Sequence, residues 1–132
     1  MALIATMHHM TVVVPDSPDA ERASQLLRGV LDMCVLGLLR AEPTYGYELT
    51  QRLAGFGLDA VSEGTVYPLL ARLQRLGLVE AYAVASESGP PRKYYRLSAA
   101  GAALLPVWHE QWRGFATAVE ALLSPKREKV QR

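Results

Sequence analysis

The sequence predicts a mainly α fold, in which three helices are followed by a hairpin of two strands and one long last helix. Three observations predict it. Apolar residues recur at helical spacings in three stretches between Ser24 and Leu76, each closed by Pro or Gly. Two runs rich in Val and Tyr, 79–85 and 92–97, flank the turn-rich segment Ser86-Glu87-Ser88-Gly89-Pro90-Pro91. Beyond them Leu105, Trp108, Trp112, Phe115, Val119 and Leu122 are spaced 3, 4, 3, 4 and 3, the seam of an amphipathic helix of about five turns.

Length and composition set the outer limits. The 132 residues suffice for one compact domain plus an appendage. Half are hydrophobic and a fifth are charged, which suits a globular chain and excludes disordered and collagen-like classes. The single Cys34 makes no internal disulfide and no Cys-based zinc site. Arg28, Asp32 and Arg40 interrupt the apolar stretches well short of the roughly 20 residues a membrane span requires. Met1-Ala2-Leu3-Ile4 lacks the basic region that opens a signal peptide. A cytoplasmic location without a membrane partner is expected.

Residues 1–23 show no sustained period and contain Pro15 and Pro18, so they read as an arm of uncertain order. Within it Thr11-Val12-Val13-Val14 has strand propensity but no partner, and His8-His9 lacks the carboxylate or Cys that would complete a metal site. Ser24 is placed to cap a first helix carrying Leu26, Leu27, Val30, Leu31, Cys34, Val35, Leu38 and Leu39. Met33 and Leu36 widen its apolar arc until it covers most of the cylinder, which calls for cover on more than one side, as a second subunit would give. Cys34 in this stripe reads as a small core residue.

Ala41-Glu42-Pro43 stops the first helix, because Pro43 drives Glu42 out of α geometry. Thr44 caps a second, Tyr45 to about Ala54, which Gly55 and Gly57 end. A third opens at Ser62 or Thr65 and closes at Gly77. If Ser62 is the cap, Pro68 removes one intrahelical bond; if Thr65 is, Pro68 falls at N3 and removes none. The second arrangement, or a tightened first turn, is favoured. Ser98 caps the last helix, in which Pro106 should produce a bend near Ala102, and the mostly charged 126–132 form a tail.

The order helix, helix, helix, hairpin, long helix is that of a winged helix-turn-helix with a two-stranded wing. It divides the chain into an arm (1–23), a winged unit (24–98), a C-terminal helix (99–125) and a tail (126–132).

The third helix carries the functional signal. Val66, Leu69, Leu70, Leu73 and Leu76 share one arc, and Tyr67, Pro68, Ala71, Arg72 and Arg75 the other. A helix entering a major groove needs Arg to reach phosphates or guanine edges, small residues for close approach, and Tyr for a further contact. Thr65 sits where its hydroxyl and nearby helix N–H groups would hold a phosphate. In the hairpin, alternation puts Arg92, Tyr94 and Arg96 on one face and Lys93, Tyr95 and Leu97 on the other. Charge follows the same division: four basic against seven acidic residues from Asp19 to Glu63, five against two from Thr65 to Leu97. A polyanionic partner fits the second half. Pattern alone leaves open an ordinary amphipathic helix with solvated arginines, and a hairpin whose tyrosines merely pack the sheet.

Tyr45-Gly46-Tyr47-Glu48-Leu49, Glu63-Gly64-Thr65-Val66-Tyr67-Pro68-Leu69-Leu70-Ala71-Arg72-Leu73, Gly77-Leu78-Val79 and Arg92-Lys93-Tyr94-Tyr95-Arg96-Leu97-Ser98 together resemble the PadR family of bacterial transcriptional regulators, from about Leu26 to Leu123. The resemblance implies a winged-helix repressor that binds an inverted-repeat operator as a homodimer and is released by a small molecule. It implies DNA contacts from Thr65, Tyr67, Arg72 and Arg75, with the wing at Arg92 and Lys93. The arm is longer than the family pattern.

A helix after the wing has little domain surface left to cover, so the seam from Leu105 through Trp108, Trp112, Phe115 and Val119 to Leu122 is expected at a dimer interface, with packing back on its own domain the alternative. In small PadR members with a single C-terminal helix, a Trp matching Trp112 stacks on flat apolar drugs between subunits. Carried over, this implies a planar hydrophobic effector on Trp112 with Trp108, Phe115 and Met33 nearby; the alternative is that both tryptophans only fill the interface. His109 and Glu110 beside the seam read as a polar rim rather than metal ligands. No nucleophile–base–acid set, Gly-rich phosphate loop or paired carboxylates emerge, so neither catalysis nor a cofactor or metal is expected. A competing class is a winged-helix module that binds protein; its third helix would present an apolar or acidic outer face, which Tyr67, Arg72 and Arg75 oppose.

Overall fold

The computed structural model describes residues 18–125. Its elements are α1 (Pro18–Arg28), α2 (Leu31–Ala41), β1 (Thr44–Tyr45), α3 (Gly46–Gly55), α4 (Glu63–Arg75), β2 (Val79–Val84), β3 (Arg92–Leu97) and α5 (Ala99–Leu123). The expected winged helix-turn-helix is present, with its long last helix. The readings made for Thr11 to Val14, His8-His9 and the tail 126–132 fall outside the described residues.

Helices α2, α3 and α4 enclose the core with Val35, Leu36, Leu49, Leu53, Leu70 and Leu73, each at most 1% exposed. Two glycines in left-handed geometry end the helices of the helix-turn-helix. At Gly77 (φ 77°) the Gly77 N–H donates to the Gln74 carbonyl and the Leu78 N–H to the Leu73 carbonyl. Gly57 (φ 95°) repeats the pattern, with Gly57 donating to Ala54 and Leu58 to Leu53. Both are Schellman closures, which favour glycine because a Cβ is strained at positive φ.

Four local expectations need correction. The apolar stretch from Ser24 is two helices, not one: Gly29 and Val30 donate only three residues back, to Leu26 and Leu27, and Val30 leaves helical geometry (φ −128°, ψ −3°). Ser24 lies inside α1, which occupies residues 18–23 of the expected arm, residues 1–17 of which lie outside the described residues. A proline is compatible with a first helical position, and Asp19 and Glu21 in the first turn favour the positive end of the helix dipole. Thr44 is not a cap but a buried residue of β1, which adds a third strand to the expected two in the order β1-β3-β2. The cap of α4 is Ser62 rather than Thr65, with the tightened first turn that was the other expectation, since the Ser62 carbonyl accepts from both Thr65 and Val66 N–H at 3.0 Å. Pro68 is therefore inside α4.

Ser98 caps α5 as expected, and its hydroxyl serves two elements. Oγ accepts from the Gly101 N–H at 3.0 Å and donates to the Gly77 carbonyl at 2.6 Å. Ser98 N–H also donates to the Leu78 carbonyl at 3.0 Å. Gly101 is buried against this turn; a Cβ there would overlap the Leu78 carbonyl oxygen and lie 2.7 Å from Leu97 Cδ1. The start of α5 is thus joined to the end of α4. The helix then continues through Pro106 to Leu123.

Candidate nucleic-acid interface

Helix α4 turns Val66, Leu70 and Leu73 inward and leaves Thr65, Tyr67, Pro68, Ala71, Arg72 and Arg75 exposed. The sequence-predicted face is therefore accessible, but its residues point along different flanks. Thr65 and Arg72, seven residues apart, share one side. There the Arg72 guanidinium approaches Asp32 of α2, Nη2 to Oδ2 at 3.7 Å. The Thr65 N–H is held by Ser62, so the residue offers its hydroxyl, which is 3.4 Å from the Ser62 hydroxyl.

Tyr67 lies on the opposite flank. Its ring rests against Gly46 at the start of α3, and it is 44% exposed. Burial, chiefly, pushes its phenol above the usual range, with Glu63 adding to this and the Tyr47 backbone N–H acting the other way. Opposite stands the wing. Tyr45, Tyr94 and Tyr82 lie abreast across the sheet, with ring centroids 5.2 Å (Tyr45–Tyr94) and 6.0 Å (Tyr82–Tyr94) apart. The Arg92 guanidinium lies over Tyr45 at 4.6 Å, and Arg96 over Tyr82 at 4.8 Å while paired with Glu80 at 3.0 Å. Lys93 reaches over Tyr95 on the other face, with Nζ 5.7 Å from its centroid. The strand alternation expected for β3 holds, and Tyr95 is its buried residue.

These elements enclose a cleft of about 380 Å³ lined by Tyr45, Gly46, Tyr47, Tyr67, Arg92 and Lys93. Three of the six predicted contact residues, Tyr67, Arg92 and Lys93, meet there. Arg75 stands apart on the outer ridge of α4, and Thr65 and Arg72 stand on its far flank. Among the described residues, Arg75, Arg92 and Lys93 have no ion pair, whereas Arg52 is engaged by Glu42 and Glu48. Tyr45, Tyr47 and Asp32 were not predicted to contribute. Two tyrosines around a glycine at a helix start were the available signal for the first two; nothing in the sequence ties Asp32 to Arg72.

The seam of α5 divides. Leu105 is buried in the domain's own core and Trp108 packs against it, as does Met33 from α2, so Leu105 is not left for a partner. Trp112, Phe115, Val119 and Leu122 project from the rest, Phe115 72% and Leu122 83% exposed. His109 and Glu110 are exposed, and among the described residues no three His, Cys, Asp or Glu side chains converge to hold a metal. No helix among them is long and apolar enough to cross a membrane.

A basic, aromatic helix face beside a cationic hairpin on this topology defines the winged helix-turn-helix class of DNA-binding proteins. The model of the transcriptional regulator PadR-like family matches residues 35–106, over half the chain. The chain belongs to that family of DNA-binding regulators. A PadR-like transcriptional regulator from Bacillus cereus is 42% identical and superposes with a TM-score of 0.69, covering 76% of this chain and 97% of that one. A PadR family regulator from Eggerthella lenta is 38% identical with a TM-score of 0.73, covering 80% and 92%. An uncharacterised protein of Lysinibacillus sphaericus is 33% identical over 91 residues, 67% of this chain and 84% of its own length.

Proposed function

We propose that this regulator is a homodimeric repressor that binds an inverted-repeat operator and is released by a small planar hydrophobic effector. The observation that carries the DNA-binding mode is the convergence of Tyr67, Arg92 and Lys93 on one cleft beside the exposed ridge of α4. In this reading α4 enters the major groove, where Arg75 and Arg72 reach base edges or phosphates and Thr65 offers its hydroxyl. The wing lays Arg92 and Lys93 along the backbone. The unit that reads DNA is 24–98, and 99–125 joins the subunits. Such a protein acts in the cytoplasm, where its operator lies.

The dimer reading is supported by the exposed stretch of α5. From Leu105 to Leu123 the helix extends by about 27 Å, and Trp112, Phe115, Val119 and Leu122 continue the 3–4 spacing along it. A second copy supplies the matching seam and places two recognition helices about 34 Å apart, one duplex turn. Trp112, nearly half exposed at 46%, is the stacking platform for the effector, with Phe115 beside it and Trp108 and Met33 at the domain edge.

The test is binding to the intergenic DNA upstream of the protein's own gene as salt is varied. Each neutralised phosphate contributes about −0.9 to the log–log slope. With Arg72, Arg75, Arg92 and Lys93 from both subunits engaged, a slope of about −7 is expected. A flat response, or unchanged binding by the Arg72→Ala/Arg75→Ala variant, would refute the reading.

A further inference from the structure

We propose that Gly46 is the seat that aims Tyr67 into the DNA-facing cleft, which makes it a positioning residue for DNA binding; this rests on the operator-binding reading above. Gly46 is buried at the first position of α3. A Cβ built on it would lie 2.6 Å from Tyr67 Cζ and 2.9 Å from its hydroxyl oxygen, and closer still to Cε1. Any side chain larger than hydrogen would therefore displace the ring. The glycine is used for close approach rather than for backbone freedom, since its φ lies outside the left-handed region.

The close approach brings the Tyr67 oxygen to the first turn of α3, 2.9 Å from where a Gly46 Cβ would stand. With one side of the ring closed by that turn, the open side of the hydroxyl is the cleft shared with Arg92 and Lys93. A phenol is protonated at neutral pH, so the donor is present. A fixed O–H donor beside two cations complements a phosphodiester oxygen. Swung away from Gly46, the same hydroxyl loses that fixed direction.

The geometry also shows how Gly46→Ala is accommodated. The atoms that the methyl would strike are the far end of a side chain 44% exposed, free to turn outward without opening the core. Alanine is also the better helix former. Four proteins decide the matter: wild type, Gly46→Ala, Tyr67→Ala and the double variant. Each is measured for thermal unfolding and, at one salt concentration, for binding to the labelled intergenic duplex upstream of the gene.

Gly46→Ala is expected to weaken binding about tenfold when Tyr67 is present, the loss of one hydrogen bond to a charged acceptor. In the Tyr67→Ala background it should cost less than about twofold, with the unfolding midpoint unchanged or raised. Equal losses in both backgrounds would overturn the proposal. If Gly46→Ala unfolds, Tyr67→Ala must restore the fold in the double variant, because the ring in the methyl's way is gone; failure to restore it overturns the seat as well. A wild-type chain without affinity for the duplex strikes at the operator-binding reading instead, while the unfolding cycle still reads the contact.

Discussion

Replacing Ser98 with Ala removes one oxygen and two hydrogen bonds from the junction of α4 and α5. The lost acceptor for the Gly101 N–H is an N-cap, worth about 1 kcal/mol. The Gly77 carbonyl loses a donor at 2.6 Å, and because that turn is part-exposed, water recovers some of the bond, leaving about 1 kcal/mol more. A total near 2 kcal/mol follows, measured as urea unfolding followed by circular dichroism at fixed protomer concentration. With a slope of about 1–3 kcal/mol per molar, the midpoint should fall by about 1 M while the slope stays constant. Ser98→Thr keeps the hydroxyl and should recover most of the loss. Gly101→Ala should cost more than Ser98→Ala, since its methyl meets the Leu78 backbone rather than a movable side chain. A Ser98→Ala loss below about 0.5 kcal/mol, or a Thr variant as damaged as Ala, would refute the account of the junction.

Asp32→Asn should leave stability within about 0.5 kcal/mol, because its partner Arg72 is half exposed. It should strengthen DNA binding by releasing that guanidinium, and the same variant should speed alkylation of Cys34, whose thiol is pushed up by burial first and by Asp32 second. Trp112→Ala should weaken self-association in sedimentation velocity and abolish quenching by planar dyes; equal quenching in both proteins would remove the effector platform. Cys34 and Tyr67 both hold their protons more tightly when folded. Their contribution to stability is therefore full at neutral pH, begins to be lost near the unfolded values of about 9 for the thiol and about 10 for the phenol, and is gone once each raised value is passed. Urea midpoints across that range should fall less steeply in Tyr67→Phe.

The parts of the fold visible in sequence were those with local causes. Gly57 and Gly77 mark helix ends because the left-handed turn is set within six residues, and Ser98 marks a start because its cap bond spans three. The break at Gly29–Val30 was hidden because Leu26, Leu27, Leu31 and Val35 keep a helical spacing across it, so periodicity is unaffected by a change of axis. Strand β1 was invisible for the opposite reason. Two residues have no period, and Thr44 and Tyr45 become a strand only by pairing with Tyr95 and Tyr94, fifty residues away. Within the site, exposure of Tyr67, Arg72 and Arg75 followed from the α4 pattern. What each flank would face did not, because Gly46 and Asp32 belong to other helices.

The crowding at Gly101 has a mechanical consequence for the rest of α5. A rod with no clearance for even a methyl group at its root, and seated on the core at Leu105 and Trp108, is free only beyond that seat. Leu122 lies about 21 Å beyond Trp108 along the axis, so a flexure of about 5° there carries the tip roughly 2 Å. A modest sideways push at the far end is therefore borne first by this seat and then by the turn that closes α4.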